Sequence, residues 1–148
     1  MDRSRALSPV WSGALAGLVA GFLSGIVLQQ MWILTPLPLM FGRPPGVGTG
    51  WIIHLAIAVL FGIIFGAVFG AVLRGEDPRL GATLVSGAVT GAAVWAIGPL
   101  FLIPVLLGLP PQFGLASRWL DVGLAYLLYG LALGGLFFLM TNKTERRV

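Results

Sequence analysis

Long apolar runs, separated by short polar stretches, dominate the pattern of this sequence. About 20 predominantly apolar residues cross the roughly 30 Å of a bilayer's hydrocarbon as a helix. Four runs reach that length, at about residues 12–34, 51–73, 80–103 and 119–140. They are apolar on every face and lack the alternation of barrel strands. The pattern therefore predicts an all-α integral membrane protein, a single domain with four transmembrane helices.

Composition supports the same fold class and excludes others. Of the 148 residues, 57% are hydrophobic and 9% are charged, whereas soluble domains carry about 25% charged residues. A soluble domain and a disordered chain are both excluded by these values. The chain has no cysteine, which excludes a disulfide framework, an iron–sulfur cluster, a thiolate zinc site and a cysteine nucleophile.

The basic residues predict the orientation, because cytoplasmic loops are enriched in Lys and Arg. Seven basic residues would lie on one side of the membrane and two, Arg43 and Arg118, on the other. We therefore expect both termini in the cytoplasm of a bacterial cell, with the protein in its cytoplasmic membrane. The net charge of +4 is explained by anchoring to anionic lipids and requires no nucleic acid.

Similar motifs recur in the two halves of the chain. Pro44-Pro45 recurs as Pro110-Pro111, and Trp51 recurs as Trp119. Gly17 and Gly21 recur as Gly87 and Gly91, 70 positions later. The recurrence predicts two tandem helical hairpins, at about residues 11–73 and 80–140. Each hairpin crosses the membrane twice, so the two would be related by a pseudo-twofold axis along the membrane normal, a parallel repeat.

Glycines occur at four-residue spacing within the spans. Small residues on one helix face let neighbouring backbones approach closely in a bilayer, where hydrophobicity does not drive helices together. We expect helix packing at Gly13, Gly17, Gly21, Gly25, Gly62, Gly66, Gly70, Gly87, Gly91, Gly130 and Gly134. Docking against other subunits, or a pore lined by small residues, is the functional alternative for these faces.

Polar residues within or beside the spans are the candidates for chemistry, because polar groups are costly in hydrocarbon. The predicted topology places a polar layer in the outer leaflet, made of Gln29, Gln30, His54, Arg118, Asp121 and Tyr126. His54 is favoured as an interfacial side chain that reaches water or a lipid headgroup. The alternatives are an axial ligand to a haem or chlorin, a proton-relay group, or part of a conduit mouth. Arg118 and Asp121 are expected to pair.

Motifs for catalysis or metal binding are absent from the sequence. It contains no HExxH, GxSxG or P-loop motif, and no pair of membrane carboxylates. The glycine-rich run at residues 46–50 follows no strand and precedes no lysine, so we expect a flexible outer loop. The protein is therefore not expected to be an enzyme.

Each half of the chain combines a glycine-rich span, a Pro-Pro loop and a second span, and in the first half this second span begins with an aromatic residue and a histidine. This arrangement resembles the YagU family of small bacterial inner-membrane proteins. The motifs are residues 17–24, Arg43-Pro44-Pro45 and residues 50–54, with echoes at residues 87–92 and Pro110-Pro111. The first outer loop is shorter than in that family. The resemblance implies architecture and no defined activity.

The sequence is compatible with two functions. The preferred one is a non-enzymatic accessory subunit of a larger respiratory or photosynthetic membrane complex, because the chain has almost no extramembrane mass. Its partners would be the lipid bilayer and other membrane subunits or further copies of the chain. The alternative is a small oligomeric channel or transporter that uses the polar layer as its mouth.

Overall fold

The computed structural model describes residues 8–72, 79–110 and 117–142, with the side chains of residues 117–119 left out. Helix α1 covers Pro9–Gln30, helix α2 covers Val47–Val72 and helix α3 covers Leu80–Ile97. A π-helical turn, Gly98–Leu102, joins α3 to the short helix α4, Ile103–Leu106. Helix α5 covers Ser117–Asn142. Four helical segments are long and apolar enough to cross a membrane. The prediction of an all-α protein with four candidate membrane-spanning helices is thus confirmed.

The four long helices form a bundle with one open side. Extensive contacts join α1 to α2, α3 to α5, and α1 to α5, whereas no contact of comparable extent joins α2 to α3 among the described residues. Viewed across the bundle, the helices therefore follow the order α2, α1, α5, α3. The side between α2 and α3 is left open along the bundle, and the candidate site lies at this opening.

Each hairpin is held together by glycine backbones in contact. A Cβ added to Gly17 would lie 2.7 Å from the carbonyl oxygen of Ala58, and one added to Gly91 would meet the carbonyl oxygen of Tyr126 more closely still. Real Cβ atoms do not approach a backbone atom within 3.0 Å, so only glycine allows these helix separations. The remaining glycines for which packing was expected also lie against a neighbouring helix, through backbone or side-chain contacts.

The two hairpins share one contact pattern. It places Gly13 against Gly62 and Gly66, and Gly87 against Gly130 and Gly134. By its contacts, Gly87 is therefore equivalent to Gly13. The offset of 70 in the sequence predicted that Gly87 is equivalent to Gly17, so the observed pairing differs from the expected one by one helical turn. The shared pattern supports a duplication, which itself stays a prediction.

Two prolines shape the end of the third span. Pro99 and Pro104 have no N–H to donate within a helix, and the chain between them forms the π-helical turn, in which the N–H of Ile103 donates to the carbonyl of Gly98. Because α4 follows without a break, the third span extends to Leu106, beyond its predicted end near residue 103.

The loop between α1 and α2 is structured and packed. A 3₁₀ helix covers Leu37–Phe41, and Leu34 is 1% exposed. The expectation of a flexible loop at residues 46–50 is wrong, because α2 begins at Val47. Gly50 lies so close to the chain before the 3₁₀ helix that an added Cβ would be 2.8 Å from the carbonyl carbon of Leu34.

Candidate functional site

A cavity of about 120 Å³ lies between α2 and the π-helical turn, near the loop that joins α1 to α2. All four long helices contribute to its wall. Its polar lining residues are Ser24 of α1, His54 of α2, and Tyr126 and Tyr129 of α5. The rest of the wall is apolar or glycine and includes Met40, Ile57, Phe61, Val94, Gly98 and Leu102.

His54 is positioned by the close contact of α1 with α2. Its Nε2 atom lies 2.9 Å from the carbonyl oxygen of Gly21, and its Cδ2 edge faces Gly25. The side chain is 8% exposed. The interpretation of His54 as an interfacial side chain that reaches water or a headgroup is therefore wrong: the glycine face of α1 admits the ring into the bundle.

Two hydroxyl groups in the cavity wall donate hydrogen bonds to backbone carbonyls. The Oη atom of Tyr129 donates to the carbonyl oxygen of Ala58 at 2.7 Å, which links α5 to α2. Ser24 donates through Oγ to Gly21, 3.2 Å away, so this carbonyl is shared with His54. Ser24 and Tyr129 were not among the predicted site residues, although Tyr129 is one helical turn from Tyr126.

The predicted polar layer does not converge on one place. Of its members whose side chains the structure describes, only His54 and Tyr126 line the cavity. Gln29 has a buried Oε1 atom with no hydrogen-bond partner in the structure as described, while Gln30 and Asp121 are exposed. The side chain of Arg118 lies outside the described residues, and so does its expected pairing with Asp121.

The geometry disfavours a haem or chlorin at His54. Nε2 contacts a backbone carbonyl, which leaves only Nδ1 to bind a metal. A tetrapyrrole macrocycle is also several times larger than one six-membered ring, and a cavity of about 150 Å³ is filled by a single benzene. The cavity of about 120 Å³ would have to open widely to hold such a cofactor.

Aromatic side chains fill the bundle beyond the cavity. Phe137 of α5 meets Phe65 and Phe69 of α2 edge-on, with ring centroids 5.4 and 5.8 Å away. Phe137 is fully buried, and Phe65 is 5% exposed. The cavity therefore ends near Phe61 and Tyr129, and a separate groove of about 400 Å³ lies beyond Phe61 on the open side between α2 and α3.

Comparisons with models of protein families, with curated proteins and with solved structures gave no match for this chain. The resemblance to the YagU family accordingly stays a prediction, and function is inferred from the geometry.

Tyr129→Phe is expected to lower the free energy of unfolding by about 0.6 kcal/mol, the average found for hydrogen bonds between membrane helices. The substitution removes only the hydroxyl that joins α5 to the Ala58 carbonyl. Thermal unfolding in detergent measures the change. Thr141→Val is the control, because the Thr141 hydroxyl donates within its own helix, to Phe137 at 2.8 Å. Equal stability of Tyr129→Phe and the wild type would argue against this link between the helices.

Proposed function

We propose that the protein is a non-enzymatic accessory subunit that docks against another membrane subunit through the outer face of α3. The observation that carries the proposal is the size of the exposed residues there. Between residues 81 and 96, every exposed residue of α3 is glycine, alanine or valine, and large exposed side chains, Leu80 and Ile97, lie only at its two ends. The small exposed residues are Gly81, Ala82, Val85, Val89, Ala92, Ala93 and Ala96.

The exposed faces of the other helices have a different character. On α1 they carry Trp11, Phe22 and Ile26, and on α5 Leu124 and Leu131, which are large side chains suited to lipid. Small residues in a bilayer are enriched where helices pack against helices. The small outer face of α3 therefore matches a transmembrane helix of a partner better than it matches acyl chains. The adjacent groove between α2 and α3, about 400 Å³, has space for side chains of that helix.

The experiment purifies the native protein in mild detergent and quantifies the subunits that co-purify with it. Ala92→Trp is expected to remove a stoichiometric partner, because the indole would separate the two helices, while the melting temperature of the isolated protein stays unchanged. Leu124→Trp, on the exposed face of α5, is the matched control and should retain the partner. A protein that purifies only as a homo-oligomer, or a partner retained by Ala92→Trp, would contradict the proposal.

The channel or transporter has less support from the geometry. A conduit within one chain would need an enclosed path beyond Phe61 and Tyr129, and the space there is a groove of about 400 Å³ on the open side between α2 and α3. The proposed setting is the bacterial cytoplasmic membrane with both termini in the cytoplasm, supported by the seven-to-two distribution of basic residues.

A further inference from the structure

The loop between α1 and α2, residues 31–46, lies beside α2 and not beyond its end. The chain before the 3₁₀ helix contacts Gly50 in the first turn of α2. Met40 of the 3₁₀ helix lines the cavity together with His54, one turn further into α2. Because a helix rises about 1.5 Å per residue, the stretch from Gly50 to Val72 covers about 33 Å. The hydrocarbon of a bilayer is roughly 30 Å thick, so the loop lies at the depth of its boundary.

The α1–α2 loop turns large apolar side chains outward. Phe41 is 60% exposed and Leu39 is 43% exposed, while Leu37 and Pro38 of the same 3₁₀ helix are buried. Trp32, at the start of the loop, is 69% exposed. Large exposed apolar side chains grouped in one segment indicate a contact with a membrane or with another protein.

Trp32 favours the membrane as that contact. Its φ is 60°, a left-handed conformation that is costly for any residue with a Cβ. A strained and exposed tryptophan indicates that the surroundings stabilise its ring, and indoles are enriched at membrane boundaries. Trp11, 65% exposed in the first turn of α1, is separated from Trp32 by about 30 Å of helix. The two indoles are thus spaced by the thickness of the hydrocarbon.

The backbone of the α1–α2 loop suits a medium that supplies few hydrogen bonds. An irregular segment is costly near hydrocarbon, because its unpaired N–H and C=O groups lack water. Several N–H groups of the loop donate to carbonyls within it, namely those of Leu37, Leu39, Gly42, Arg43 and Gly46. The four prolines of the loop have no N–H that could be left unpaired. These positions therefore need no water as a partner.

We propose that the α1–α2 loop is inserted into the lipid leaflet at its end of the bundle, at the boundary between headgroups and hydrocarbon. Phospholipid then covers Trp32, Leu39 and Phe41, in continuity with the lipid around the apolar faces of α1 and α2. Arg43 follows Phe41 closely and is exposed, so its guanidinium can bind the phosphates of the same lipids. The proposal does not depend on the docking of a partner at the outer face of α3.

Spin labels at single cysteines measure the depth of the loop, since the chain has no cysteine of its own. Leu39→Cys and Phe41→Cys are labelled with a nitroxide in the full-length protein. Each nanodisc holds a single copy in phosphatidylethanolamine and phosphatidylglycerol. Collisions of the label with oxygen, which concentrates in hydrocarbon, are compared with collisions with a water-soluble nickel chelate. Val19→Cys, exposed in the middle of α1, is the hydrocarbon reference, and Arg79→Cys, exposed before α3, is the water reference.

The expected result is a ratio of oxygen to nickel collisions that is severalfold higher at both loop positions than at Arg79→Cys. Both side chains are exposed, so the labels do not disturb the packed side of the loop. If one labelled variant fails to fold, the other decides. A ratio at either position equal to that at Arg79→Cys would overturn the proposal. It would show that the apolar side chains of the loop lie in water and are available to another protein.

Discussion

Replacing Gly66 by leucine is expected to destabilise the protein by about 3 kcal/mol, the upper end of the usual cost of overpacking. A Cβ at Gly66 would meet the backbone carbonyl of Pro9 and would lie 3.1 Å from the Cα of Gly13. These atoms belong to the backbone of α1 and cannot rotate away as a side chain would. The leucine must therefore push α1 and α2 apart, which also opens the neighbouring contact of Gly62 with Gly17.

Thermal unfolding in detergent measures this effect, and a fall in melting temperature on the order of 10 °C is expected for a chain of this length. Gly48→Leu is the control. Gly48 also lies in α2, but an added Cβ there has nothing within 4 Å, so its melting temperature should stay close to that of the wild type. Equal melting temperatures for the two variants would show that α1 and α2 do not meet at Gly66.

The sequence predicted the helices and the contact within each hairpin for physical reasons. Span length is fixed by the thickness of the bilayer, and a four-residue spacing of glycines marks a helix face without knowledge of the partner. Gly62 and Gly17 could therefore be placed on packing faces in advance. The register between them could not be predicted, because sliding one helix along the other by one turn leaves the four-residue spacing unchanged. The observed equivalence of the two hairpins differs by one turn from the expected one.

The arrangement of the two hairpins could not be predicted from the sequence. The helices are apolar all round, so the usual contrast between a polar and an apolar face gives no direction. The contact of α1 with α5 uses residues outside the glycine pattern: Ala16 and Ala20 are fully buried and cluster with Leu133 and Phe137, and Leu28 clusters with residues of α5 further along. The gap between α2 and α3 follows from this choice of neighbours.

The location of His54 could have been predicted, and the reason is instructive. His54 precedes Ala58, Gly62 and Gly66 at the same four-residue spacing, so it lies on the face of α2 that packs against α1. Its depth near the end of the span suggested an interfacial side chain, whereas its helical position directs it towards Gly21. The cavity itself depends on the turn near Pro99 and on the gap beside α2, neither of which a sequence pattern locates.

Phe137→Ala is expected to lower the free energy of unfolding by about 2–3 kcal/mol, less than the 3–5 kcal/mol typical of buried phenylalanine in soluble proteins. Phe137 is 0% exposed, and its ring meets those of Phe65 and Phe69. In water, the loss would include the transfer of the ring out of solvent. In a bilayer, separated helices leave that ring in hydrocarbon, so the transfer contribution largely vanishes. What remains is the lost packing and the cavity in the aromatic cluster.

The comparison with an exposed residue of the same helix tests this reasoning. Leu124 is 64% exposed, so in Leu124→Ala lipid replaces the lost side chain and the expected change is below about 0.5 kcal/mol. Unfolding in detergent, followed by the loss of near-UV circular dichroism from the packed aromatic rings, gives both values. A Phe137→Ala variant as stable as Leu124→Ala would contradict the burial of this ring between α2 and α5. A loss well above 5 kcal/mol would instead show that the cluster is stabilised as in water, because the unfolded helices then expose their rings to solvent and not to hydrocarbon.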